Sequence, residues 1–137
     1  MVKPVPRAIR NHNPLNIEHN PDNHWLGLEQ KQDDGRFCVF RADIFGYRAA
    51  LILLKRYIDR YGLDTPAKII RRWAPPVDND TPAYIRKVEV ISRLGRTDHI
   101  NFADREAVCR LMHAMACVES GKSRDIAEVY KAYDLYA

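Results

Sequence analysis

Apolar positions recur at helical spacing over most of this chain and alternate only near its start. In NFADREAVCRLMHAMACVESG, residues 101–121, Val108, Leu111, Met112, Met115 and Val118 fall on one stripe of a helix, and Glu119 lies within that stripe. Asn101 is the expected cap, Asp104 and Glu106 suit the positive end of the helix dipole, and Gly121 is the expected terminator. Upstream, Ile44, Tyr47, Leu51, Leu54 and Ile58 share a face of a helix running from about Ala42 to Gly62. Thr65-Pro66 opens a short helix through Trp73, and Thr81-Pro82 opens another with Tyr84, Ile85, Val88 and Ile91 inward, ended by Gly95. A last helix from about Ser123 carries Ile126, Val129, Tyr130 and Tyr133.

The first forty residues follow other rules. Residues 1–10 are basic and punctuated by proline, which predicts an extended arm ahead of a single domain spanning 11–137. Next, RNHNPLNIEHNPDN is too rich in Asn and Pro for a regular element. Asn bonds its own backbone and tolerates left-handed geometry, so this segment reads as a tight, internally bonded loop pinned by Leu15 and Ile17. The segment from Leu28 to Phe40, with Asp33-Asp34-Gly35 between two short runs, predicts a β-hairpin. The expected fold class is therefore α+β, mostly α, with a small β-hairpin lobe near the N-terminus.

Composition narrows the picture modestly. The 137 residues fit one domain with a true core, and their charged share of 29% is that of an ordinary globular chain. No apolar run approaches a membrane span, and the first residues lack the apolar core of a secretory signal. Synthesis in the cytoplasm is expected, with any work outside it requiring delivery by a virion or another machinery. The 3 cysteines, Cys38, Cys109 and Cys117, form no ligand pattern and read as reduced packing residues. His19, Asp22 and His24 lack a further partner at ligand spacing, so neither a metal nor an organic cofactor is expected. A net charge of +4 suits approach to an anionic polymer, but no helix joins a continuous basic face to stacking aromatics, and nucleic acid is not an expected partner.

The candidate chemistry centres on Glu119. A carboxyl on an oily stripe is desolvated and holds its proton to higher pH, as a general acid must; a frayed helix end would instead leave it an ordinary solvated residue. Phosphate loops, nucleophile elbows and zinc-protease motifs are absent from the sequence. Glycoside cleavage needs a protonated acid and either a second carboxylate or the substrate's own groups, and Asp33, Asp34 or Glu29 on the hairpin could hold an attacking water.

Several segments also carry a resemblance. RNHNPLNIEHN, HWLGLEQ, DDGRFCVFRADIFGYRAALILLKRY, IIRRWAPPVDNDTPAYIRKV and LMHAMACVESG are similar to a family of small bacteriophage virion-associated proteins over nearly the whole chain. Two departures stand out: Leu15 where that family usually has Gly, and Ser120 where it usually has Asn. More distantly, Glu119-Ser120-Gly121, Asn13 to Ile17, Trp25-x-Gly27 and Asn79 to Val88 resemble motifs of lysozyme-like lytic transglycosylases and glucosaminidases. The Glu-Ser-Gly is displaced to the C-terminal part, for which circular permutation is the simplest account.

The resemblance implies a lysozyme-like domain acting on peptidoglycan by general acid/base catalysis. It implies Glu119 as acid and then base, with Tyr84 contacting Glu119 or the sugar; Asp34, one of the hairpin carboxylates that could hold the water, completes the expected catalytic set. Asn13, Asn16, Ile17, Trp25, Asp33 and Asp80 become the substrate-binding set. Implied partners are bacterial peptidoglycan and phage virion proteins or an immunity or delivery protein. A non-catalytic virion or peptidoglycan-binding protein on the same scaffold is the alternative. A geometric expectation follows: Glu119 should face the Asn13 to Asn16 loop and Tyr84 across one cleft.

Overall fold

The computed structural model describes residues 4–136. It is mostly helical: α1 (Arg7–Arg10), α2 (Asp43–Tyr61), α3 (Pro66–Trp73), α4 (Thr81–Ser92), α5 (Arg105–Ser120) and α6 (Ile126–Tyr136) follow in order. No helix among the described residues is long and apolar enough to cross a membrane.

The central element is α5. Val108, Cys109, Leu111, Met112, Ala114, Met115, Ala116 and Cys117 are buried, so its apolar surface extends around most of the helix rather than along one stripe. Such a helix needs neighbours on several sides. It packs against α4, α6 and α1, while α2 lies along α6. One core cluster joins Leu15, Phe40, Leu51, Ile69, Val88, Met112 and Val129, and so links the Asn-rich loop to all of the longer helices.

Local chemistry explains most of the boundaries. Thr65 caps α3 by accepting from the Lys68 N–H, with Pro66 in the first turn. The αL glycines Gly62 and Gly121 terminate α2 and α5. Elsewhere the expected cap was displaced. The cap of α5 is Asp104, whose carboxylate accepts from the Ala107 N–H; Asn101 closes a preceding turn by accepting from Ala103. Asp80 rather than Thr81 caps α4, which frees the Thr81 hydroxyl to donate to the buried Ala74 carbonyl at 2.6 Å. That helix ends at Arg93 in αL geometry, before Gly95. Ile91 is 41% exposed and Ser92 takes the inward place, because Tyr84, Val88 and Ser92 at i, i+4, i+8 form the buried row.

Two expectations for the N-terminal region are corrected. The arm 1–10 is not extended where it is described. After Pro6 the chain makes one helical turn, the Pro6 carbonyl accepting from Ile9 and Arg10, and Ala8 is buried; residues 1–3 lie outside the described residues. The β-hairpin is reduced to a single pairing, its two runs meeting at Leu28 and Phe40 with the Val39 carbonyl accepting from Glu29 and the Gly27 carbonyl from Arg41. Among the described residues there are only two isolated antiparallel bridges, Glu18 with Phe37 and Leu28 with Phe40.

Side chains displace the ladder. Gln32 uses its amide to donate to the Glu29 and Val39 carbonyls and to accept from the Val39 N–H, at 2.7 to 2.8 Å. Asp34 accepts from the Arg36 and Phe37 N–H groups. Residues 36–38 then pair with the loop instead, the Ile17 carbonyl accepting from Cys38 and the Arg36 carbonyl from His19.

Candidate active site

The Asn-rich segment is the most tightly determined loop of the chain. Asn13 is fully buried; its amide donates to the Ile17 and Cys38 carbonyls at 3.0 Å and accepts from the Ile17 N–H at 2.9 Å. Leu15 and Ile17 are buried on either side of Asn16, so the peptide chain must turn outward between them. It does so with Asn16 at φ +51°, a left-handed geometry that Asn tolerates better than most residues. Leu15, where the resembled family has Gly, is buried, and its carbonyl accepts from the Trp73 indole N–H at 3.2 Å. Gly46 of α2 abuts this loop so closely that a Cβ there would lie 2.7 Å from the His12 carbonyl oxygen.

This loop delivers Asn16 to the end of α5. The Asn16 amide donates to Glu119 Oε1 at 2.9 Å, across 103 residues of sequence, and the Tyr84 hydroxyl donates to Oε2 at 2.9 Å. Thus α5, α4 and the loop converge on one carboxyl group. Burial pushes the Glu119 pKa above its ordinary value, although the Asn16 and Tyr84 hydrogen bonds pull the other way. Burial beside the Glu119 carboxylate also raises Tyr84 well above the ordinary phenol value, so Tyr84 is a hydroxyl donor throughout the working pH range.

Glu119 opens onto a cleft of about 710 Å³. Asn16, Ile17 and Trp25 line it, as does an aromatic wall that the sequence reading did not single out: Tyr57 and Trp73, edge to face with centroids 5.6 Å apart, and Phe37. Flat aromatic faces beside polar amides suit a ligand that combines an apolar face with hydrogen-bonding groups. Trp73 within RWAPP was the readable signal for that wall; Tyr57 carried none, since it read as one more residue of a long helix.

The other expected site residues sit elsewhere. Asn13 is a strut inside the loop and Asp80 a helix cap; neither lines the cleft. Asp33 is exposed and also outside the lining. Asp34 is not poised over the cleft. Its side chain is only 1% exposed and is held by Arg7, Arg10 and Asn11 as well as by the two backbone N–H groups. Burial alone would raise its pKa, but the Asn11 amide, those N–H groups and Arg7 outweigh it and bring the value down to about 2. Such a carboxylate is a poor base.

The carboxylates that do line the cleft are Glu18, Asp78 and Glu119. Glu18 is engaged by Arg36 Nε and Nη2 at 3.2 and 3.0 Å. No cysteine lines the cleft: all three are buried and form no disulfide, burial raises the Cys38 and Cys109 thiols to about 11, and Cys117 Sγ lies 3.6 Å from His113 Nε2 away from the lining.

No family model matches the chain. Among curated proteins it is 34% identical over 124 residues to Protein P5 of Pseudoalteromonas phage PM2, an alignment covering 89% of the chain and 76% of that protein. That name states no activity.

Proposed function

We propose that this chain, which belongs to the family of Protein P5 of Pseudoalteromonas phage PM2, is a glycosidase that cleaves the glycan backbone of bacterial peptidoglycan with Glu119 as its acid. The observation that carries the reading is one carboxyl group, raised in pKa by burial, held by Asn16 and Tyr84 at the floor of an aromatic-lined cleft. A polymer bound along Trp25, Tyr57 and Trp73 would bring a glycosidic oxygen to Glu119. The acid protonates that oxygen, the C–O bond breaks with its electron pair on the leaving group, and an oxocarbenium-like centre forms.

The centre is then captured by water or by a hydroxyl of the same sugar, and the proton lost in that step returns to Glu119. Asp34 is unsuited to positioning the water. Asp78 on the cleft wall, with no side-chain hydrogen bond among the described residues, is the carboxylate left for hydrolysis. The lysozyme-like, circularly permuted arrangement suggested by sequence fits the order of parts: the acid-bearing helix comes late in the chain and packs against α1 at its start.

Glu119→Gln is isosteric and should fold normally while losing clearing of purified peptidoglycan by at least a hundredfold, in line with loss of an essential acid. Clearing that survives in this variant would remove Glu119 from the chemistry. Wild-type protein that sediments with peptidoglycan but releases no muropeptide would instead identify a binding protein of the virion on the same scaffold.

A further inference from the structure

The two groups that hold Glu119 are not equivalent. Asn16 lines the cleft, whereas Tyr84 is only 6% exposed and lies behind the carboxyl group, outside the lining. Since Asn16 meets Oε1 and Tyr84 meets Oε2, Oε1 is the cleft-side oxygen and Oε2 the core-side oxygen. The Asn16 Oδ1 is buried and has no hydrogen-bond partner, so among the described residues only the Nδ2–H bond to Glu119 holds that amide in its present orientation. The buried Asn13 amide, by contrast, is fixed through both ends by three hydrogen bonds, its nitrogen donating to the Ile17 and Cys38 carbonyls and its oxygen accepting from the Ile17 N–H.

We infer that Tyr84 confines the proton of Glu119 to the cleft-side oxygen, and that the Asn16 side-chain amide turns over as that proton leaves and returns. A hydroxyl donating to Oε2 favours Oε2 as the carbonyl oxygen of the neutral acid, and the proton must then sit on Oε1. An amide N–H suits a carboxylate Oε1, but a carboxylic O–H needs an acceptor, and a half-turn presents the Asn16 Oδ1 to it. The turn exchanges the Nδ2–H···Oε1 bond for an Oε1–H···Oδ1 bond, so the number of hydrogen bonds between the pair is kept. When substrate binds, the Oε1 proton swings to the glycosidic oxygen; the amide turns back and its N–H meets the new carboxylate. Capture of the sugar centre returns one proton to Oε1 and resets the pair.

Tyr84 and Asn16 are positioning residues on this account. The other titratable groups facing the cleft are Glu18, His19, Arg36, Tyr57 and Asp78, of which Glu18 and Arg36 neutralise one another.

The inference rests on Glu119 being the acid for its catalytic meaning, but it is testable on the free protein. The Asn16 side-chain ¹⁵N–H₂ signals and the Glu119 ¹³Cδ signal are followed by NMR from acid to neutral pH, in wild type, Glu119→Gln and Tyr84→Phe. The expected result is one shared midpoint for the two wild-type residues, with the Asn16 response abolished in Glu119→Gln. Tyr84→Phe, which removes a single oxygen, should raise the Glu119 proton affinity roughly tenfold, as loss of a hydrogen bond to a charged group does. It should also lower kcat on peptidoglycan with KM little changed. An Asn16 amide that ignores the titration of Glu119 overturns the turning, and a Glu119 midpoint unmoved in Tyr84→Phe overturns the confinement of the proton. If both NMR results hold while wild type releases no muropeptide, the hydrogen-bond inference stands and the glycosidase reading falls.

Discussion

At the scale of single residues, two carboxylates are pushed in opposite directions, and each leaves a different mark on stability. Glu119 has its folded pKa raised by burial above the ordinary 4.5. The stability this contributes is complete below the unfolded value and is lost as pH rises through the folded value. Glu119→Gln, which cannot ionise, should therefore melt above wild type at neutral pH, the difference closing as pH falls below the ordinary value; thermal melts across that range check it. Asp34 behaves inversely, with a folded value of about 2 against an ordinary 3.8. Its contribution is present above the ordinary value and disappears as pH drops through about 2. Because its partners Arg7 and Arg10 are half exposed and screened, Asp34→Asn should cost about 1 kcal/mol at neutral pH. Denaturant titration should show that loss vanishing in strong acid, with peptidoglycan cleavage at neutral pH preserved.

At the scale of elements, the position of the Asn16 loop depends on how closely α2 can approach it. Gly46 admits the loop, since a Cβ there would stand 2.6 Å from Pro14 Cδ and 2.7 Å from the His12 carbonyl oxygen. Backbone cannot yield as a flexible side chain can, so Gly46→Ala should destabilise the fold by about 1–3 kcal/mol. Displacing the loop also lengthens the Asn16 to Glu119 contact, so activity should fall further than the folded fraction does, as measured by clearing rate per folded molecule.

The elements were largely legible beforehand where one local signal sufficed. Thr65-Pro66, Gly62 and Gly121 bounded helices as read, because a cap or an αL glycine acts within one turn. Caps went astray where two candidates lay close together, as with Asn101 and Asp104, since only the packed chain decides which of them starts the helix. The hairpin misled for a related reason. Asp-Gly is a turn signal whatever follows it, but Gln32 and Asp34 supplied side-chain partners for the backbone groups that a ladder would have paired.

At the scale of the whole molecule, a net charge of +4 surrounds a cleft lined by the carboxyl groups of Glu18, Asp78 and Glu119 and by a single arginine, Arg36. Long-range attraction to an anionic wall should then come from the general surface, and short-range recognition from aromatics and amides. Raising ionic strength from about 0.05 to 0.5 M, which shortens the screening length to a few ångströms, should weaken sedimentation with peptidoglycan several-fold, while the cleavage rate at saturating substrate changes little. An equal loss in both would place the decisive charges inside the cleft.

The sequence by itself determined the helices, most of their ends, the inward loop anchors and the oddity of Glu119, because periodicity and capping act over a few residues. It also held the resemblance that linked Asn16, Tyr84 and Glu119. Only the tertiary structure decided that Asn16 and Tyr84 each meet Glu119 at 2.9 Å, that Asp34, Asn13 and Asp80 are consumed in holding backbone, and that Tyr57 and Trp73 line the same cleft as Glu119. The physical reason is that a carboxylate, an amide or an aromatic ring takes its role from the partners packing brings to it, and here those partners lie as far as 103 residues away.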